Sequence, residues 1–161
     1  MKVNVINSGG NALPTYAKPG DSGQDLRANF TNGLADKYMF HAAFDDIRKT
    51  LLVFSGGRVL IPTGLYTSFP TGYELQVRPR SGTALKFGII VLNTPGTIDS
   101  CYRGEIGVIL MNLGDDVFEI QQGDRIAQLV LAKVSLIEWN EVPHLDKTDR
   151  GTGGFNSTGT K

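Results

Sequence analysis

Hydrophobic positions along this chain recur mostly in short runs of period two, separated by glycine-rich turns. Lys2–Ile6 alternates, Arg58–Ile61 leads into Pro62, and Tyr73–Val77 alternates before Pro79. Further runs follow at Ile89–Leu92, Ile106–Met111, Val117–Ile120 and Ile126–Val134, with turn clusters between them such as Pro19–Gly23, Thr94–Gly96 and Gln121–Asp124. Many short strands at close spacing predict an all-β sandwich or barrel. In Val108–Leu110 and Leu129–Ala132 the apolar positions are consecutive, which suggests burial on both faces, most simply against further subunits.

Two stretches depart from that pattern. Gly82–Phe87 has room for a turn or two of helix. Asp36–Leu52 lacks Gly and Pro and sets Met39, Ala42, Ala43, Phe44 and Ile47 near one stripe, which predicts a helix over about 36–50. From Asp149 onward the chain is nearly all Gly, Thr, Ser and Asn around Phe155, a composition that builds no core and reads as a flexible arm. The expected organisation is therefore one domain over residues 1–148, with an insert at about 34–52, and an arm over 149–161.

Composition narrows the chemistry. The 161 residues carry 16 basic and 16 acidic side chains. That balance argues against direct nucleic-acid binding, which uses a basic face to release counterions. No apolar run approaches the roughly 18 residues that cross a bilayer, and the start lacks a signal-like apolar stretch. A single cysteine, Cys101, and two distant histidines leave no zinc cluster and favour a reducing compartment. Any metal would be a hard cation held by oxygen.

Five stretches hold unusual residue combinations. In Ala17–Ala28 two glycines precede Asp25. In RPRSGTALKF, the residues Arg80, Ser81 and Gly82 leave a strand and enter a short helix, bringing a guanidinium, a hydroxyl and backbone N–H groups together as a phosphate needs. Asn93–Gly104 sets Asp99 on a bend, where a carboxylate serves as a water-activating base. GDRIAQL places Gln128 after a turn. The tail RGTGGFNSTG combines Arg150 with Phe155, Ser157 and Thr158. Each alone reads at least as readily as an ordinary turn or linker; together they point to nucleoside-triphosphate chemistry.

These five pieces, GxxGxDL, RSG, PGxIDxxYRG, GDRIAQL and RGxGGFxSTG, resemble the trimeric dUTPase family in order and spacing over nearly the whole chain. The resemblance implies a distorted jelly-roll-like β-barrel, a homotrimer with a swapped C-terminal arm and three sites at subunit interfaces. It implies hydrolysis of dUTP to dUMP and pyrophosphate with Mg²⁺, limiting uracil in DNA and supplying dUMP for dTMP synthesis. Asp99 matches the catalytic acid and Tyr102 the aromatic under deoxyribose. Asn93 matches the uracil end, within a hairpin whose backbone, including Gly96 and Ile98, reads the base. Arg80, Ser81, Gly82 and Gln128 match the phosphate grips. Asp25 matches an acid that touches the water shell of the magnesium, itself held mainly by the substrate phosphates. Arg150, Phe155, Ser157 and Thr158 match the closing arm, in which Asn156 replaces the usual glycine. The insert at 34–52 is longer than the family's link and is a candidate protein-partner interface. The implied location is the cytoplasm, or a host's cytoplasm for a virus-encoded chain.

Two rivals differ in chemistry. A dCTP deaminase shares the fold but has a Glu base where this chain has Ile109, and a buried apolar side chain shuttles no proton. A nucleotide-binding regulator without turnover is countered by the intact Asp99 and arm.

Overall fold

The computed structural model describes residues 1–34 and 36–154. In chain order its strands are β1 (Asn4–Asn7), β2 (Gly23–Arg27), β3 (Met39–Asp45), β4 (Thr50–Pro62), β5 (Leu65–Ser68), β6 (Tyr73–Arg78), β7 (Ile89–Val91), β8 (Gly96–Ile98), β9 (Gly107–Asn112), β10 (Phe118–Gln121) and β11 (Arg125–Lys133). One helix, α1 (Ser81–Phe87), joins β6 to β7. Three sheets result: β1 with β5; β10, β4, β9 and β7 with β3 also on β4; and β2, β11, β6 and β8 in that order. The paired strands run antiparallel, and the sheets share one core without closing into a continuous ring.

Alternation explains most of the core. In β9, Val108 and Leu110 turn inward while Ile109, expected buried, is only half-buried because it points to the sheet's other face; in β4, Leu51, Val53, Val59 and Ile61 are buried. The consecutive apolar run of β11 has an intrachain cause. That strand sits between β2 and β6, and Ile126, Ala127, Leu129 and Val130 are all buried within this one chain. After Lys133 the described chain forms no further strand or helix, and Leu136, Ile137, Trp139 and Leu145 are exposed.

The helix expected over about 36–50 is not formed. A 3-10 turn at Asp36–Tyr38 leads into β3, which pairs antiparallel with β4 from Asp45↔Thr50 outward. The reason lies in the tip and in the partner strand. The Asp45 carboxylate accepts the Ile47 and Arg48 backbone N–H groups at 3.0 Å each, closing a side-chain-directed turn, and Lys49 takes φ 52°. Such local Asp bonds compete with helix. Beyond the tip, Phe44 meets Phe30 edge-on at 5.1 Å between ring centroids, while Ile47 is 96% exposed. A helical stripe would have needed Ile47 inside; tertiary pairing overrode a weak propensity.

The short helix is as expected. Arg80 enters it extended, and Gly88 ends it at φ 68°, donating its N–H to the Ala84 carbonyl. A side chain at Gly88 would also press on Gly114, its Cβ only 2.7 Å from that residue's nitrogen.

Candidate active site

The first group of predicted residues gathers where β2, β11 and β6 run side by side. Gln128 is paired with Asp25 on one flank and Arg78 on the other, so residues far apart in sequence share one cross-strand row. Arg80 lies two residues past Arg78. Its Nε donates to Asp25 Oδ1 at 2.9 Å, and Arg125 Nη1 donates to Asp25 Oδ2 at 3.3 Å. Arg80 Nη1 also reaches the Arg125 carbonyl at 3.2 Å. Two guanidiniums against one carboxylate leave a net positive charge here, suited to an anion. Gln128 Nε2 donates to the Pro79 carbonyl at 2.9 Å, bracing the strand exit that carries Arg80 and Ser81. Gly23 makes room for that brace, since a Cβ there would sit 2.2 Å from Gln128 Oε1. Ser81 is exposed at the start of α1, and space is open beside Gly82.

The second group sits on the turn that joins β7 to β8, strands of two different sheets, and on the bend after β8. The Thr94–Pro95 peptide is cis, and the Thr94 N–H returns to the Val91 carbonyl at 3.1 Å. Asn93 lies over Gly96, whose added Cβ would be 3.1 Å from Asn93 Nδ2. Ile98 closes the ladder opposite Leu75, and Asp99 follows, exposed. No hydrogen bond engages the Asp99 carboxylate among the described residues, which leaves it free to orient a water. The Tyr102 N–H donates to the Asp99 carbonyl at 3.1 Å, and the Tyr102 hydroxyl to the Glu105 carbonyl at 3.0 Å. Arg103 Nη1 donates to the Ser100 and Tyr102 carbonyls at 2.7 and 2.8 Å, fixing the bend.

The fold separates the two groups within one chain. Since Ile98 pairs with Leu75, Asp99 lies level with the start of β6, whereas Arg80 lies past its end. Six residues of strand at about 3.3 Å each place them roughly 20 Å apart along the ladder. Neither of two concavities of about 320 Å³, one beside Tyr38 and Glu105 and one beside Val5 and Leu129, touches Arg80 or Asp99.

Of the arm residues, Arg150 sits in a turn, its Nε donating to the Gly153 carbonyl at 3.0 Å. Phe155, Ser157 and Thr158 lie outside the described residues, as does Asn156. Sequence reading passed over Arg125 and Glu105. Arg125 stands inside GDRIAQL beside the selected Gln128, so its motif position was the available signal; Glu105 directly follows YRG.

These features define an all-β, jelly-roll-like protein equipped with a cationic cradle and an acid-bearing bend. Over residues 35–159 the chain matches the family model described as dUTPase. It belongs to the dUTPase family. It is 46% identical over 159 residues to the deoxyuridine 5'-triphosphate nucleotidohydrolase of Finegoldia magna, covering 99% of each chain. It is 51% identical over 155 residues to the Beijerinckia indica protein of that name, covering 96% of this chain and 88% of the other. A mutant Staphylococcus bacteriophage 80alpha dUTPase solved with dUpNHpp shares the fold at TM-score 0.78 and 20% identity, with 98% of each chain covered. A mutant dUTPase from the S. aureus phage phi11, described with a coordinated structural Mg(II) ion, matches at TM-score 0.72 and 18% identity, covering 91% of this chain and 100% of that one.

Proposed function

We propose that this protein hydrolyses dUTP to dUMP and pyrophosphate, as a homotrimer whose sites each combine groups from different copies. The observation that carries the reading is the convergence of Asp25 from β2, Gln128 from β11 and Arg80 from the segment just past β6 into one cationic cradle, with Arg80 bonded to Asp25 and Gln128 to the Pro79 carbonyl. Arg80, Ser81, Gly82 and Gln128 hold the phosphates there, with Arg125 adding charge. Asn93, Gly96 and Ile98 present the turn and strand that follow β7 to uracil, and Tyr102 stacks under the deoxyribose. A pocket matched to uracil's polar edge leaves groups unpaired against cytosine.

In the reaction Asp99 accepts a proton from water as the oxygen bonds to the α-phosphorus. The bond from that phosphorus to the β-phosphate's bridging oxygen breaks, and pyrophosphate departs. The separation of Asp99 from Arg80 within one chain supports shared sites, because both must serve a single triphosphate. The exposed apolar stretch from Leu136 to Leu145 supports further burial between copies.

The described residues suit a phosphate-held magnesium. They contain no cluster of three or more His, Cys, Asp or Glu side chains able to cage a metal. A carboxylate has about four acceptor sites, so Asp25 retains capacity for a metal-bound water beyond its two arginine bonds. Bound Mg²⁺ would neutralise charge building on the leaving pyrophosphate. The arm from residue 149, with Arg150, Phe155, Ser157 and Thr158, closes the site. No helix among the described residues is long and apolar enough to cross a membrane, and we place the enzyme in a reducing cytoplasm. The insert's hairpin, β3 with the first half of β4, is the candidate surface for a protein partner.

The test is pyrophosphate release from dUTP, dCTP, dTTP and UTP, with and without Mg²⁺. Release confined to dUTP and dependent on the metal is expected. Ammonia from dCTP, or dUTP binding without product, would select a rival.

A further inference from the structure

The bend that carries Tyr102 is tied to the turn after β4, the strand beside β9, through a residue outside the predicted site. Gly64, at the β4–β5 turn, is buried, and its N–H donates to Glu105 Oε1 at 2.6 Å. Two further bonds fasten the same strip: Ile106 N–H to the Leu65 carbonyl at 2.8 Å, and Thr63 Oγ1 to the Ile106 carbonyl at 2.6 Å. The Glu105 carbonyl is thereby held in one direction, and it is the acceptor of the Tyr102 hydroxyl at 3.0 Å. Beneath the ring, Gly104 leaves the needed space, as a Cβ there would lie 2.3 Å from that hydroxyl. The remainder of the ring stays partly exposed toward solvent.

We propose that Glu105 is a positioning residue: its carboxylate, through Gly64, sets the height and tilt of the Tyr102 ring and so the enzyme's discrimination between deoxyribose and ribose. The inference rests on the reading of Tyr102 as the sugar-facing aromatic. A steric wall excludes a 2′-hydroxyl only while it is held still, because a wall that yields by a few tenths of an ångström admits the extra oxygen. Removing the carboxylate also leaves the buried Gly64 N–H without an acceptor, which frees the bend to shift.

The experiment compares kcat/KM for dUTP and UTP in the full-length wild type, Glu105→Ala, Glu105→Gln and Tyr102→Phe. Glu105→Ala should lower the dUTP-to-UTP ratio about tenfold, mainly through a lower KM for UTP, since a loosened polar anchor costs about that factor. Glu105→Gln keeps an acceptor for Gly64 and should restore the ratio to within about twofold of wild type. Tyr102→Phe should lower the ratio too, and adding Glu105→Ala to it should lower it little further, as expected of residues acting through one bond. An unchanged ratio in Glu105→Ala, or a Gln variant as poor as Ala, overturns the proposal. Should the Ala variant fail to fold, Tyr102→Phe decides: an undiminished ratio overturns it. Wild type without dUTP turnover would instead refute the proposed function, which keeps the two failures apart.

Discussion

Asp25 Oδ1 accepts a hydrogen bond from Arg80 Nε at 2.9 Å, across 55 residues of sequence, while its other oxygen takes Arg125. The carboxylate thus aims one guanidinium and restrains a second at the strand exit. Its side chain and that of Arg80 are 29% and 30% exposed, so solvent weakens the pair's share of stability.

Asp25→Asn should therefore shift thermal stability by no more than about 1 kcal/mol. Its effect on dUTP should be larger, with kcat/KM down roughly tenfold because the phosphate grip loses its aim. Melting curves and steady-state kinetics on the same preparation check both. A variant with wild-type kinetics would remove Asp25 from the site.

Asp99→Asn keeps the size of the side chain and loses the proton acceptor. Turnover should fall by about 10²–10⁴-fold, the usual contribution of a general base, while dUTP still binds. Calorimetric titration beside a pyrophosphate assay separates the two effects. Near-normal kcat would require another base.

Complementation tests the shared site directly. Arg80→Ala and Asp99→Asn should each be inactive alone. Refolded together in equal amounts, they should recover about a quarter of wild-type activity, because each contributing chain is intact at its own position half the time. The readout is pyrophosphate release against the fraction of one variant. Zero recovery at every ratio would mean that a single chain supplies both residues.

Within residues 39–52, strand pairing separates two apolar residues that a helix would have put on one stripe. Phe44→Ala removes the contact with Phe30 and should destabilise by about 2 kcal/mol, below the range for a fully buried Phe. Ile47→Ala, at the exposed tip, should change stability by less than about 0.5 kcal/mol. Chemical denaturation of both variants checks this, and equal losses would restore the helix.

Much of the candidate site was legible as motifs, because the proposed chemistry depends on residue type at short spacing. Arg80 and Ser81 are neighbours, and Asp99 and Tyr102 lie three apart on one bend. Gly23 was legible only as a glycine; the structure supplies its reason, which is the Gln128 amide 2.2 Å from where its Cβ would be. Glu105 was invisible because it acts through Gly64, 41 residues earlier, and no local pattern reports that pairing.

By itself the sequence determined the all-β class and the short helix after Ser81, and it singled out the groups proposed to handle phosphate and water. Those follow from period-two burial, from turn chemistry and from functional-group inventory, all of them local. The tertiary structure alone decided that residues 39–52 pair as strands, that β11 is buried on both faces by its own chain, and that Arg80 and Asp99 stand at opposite ends of one ladder. Each of these is set by which strand lies next to which, a free-energy balance summed over contacts distant in sequence, and no window along the chain contains it.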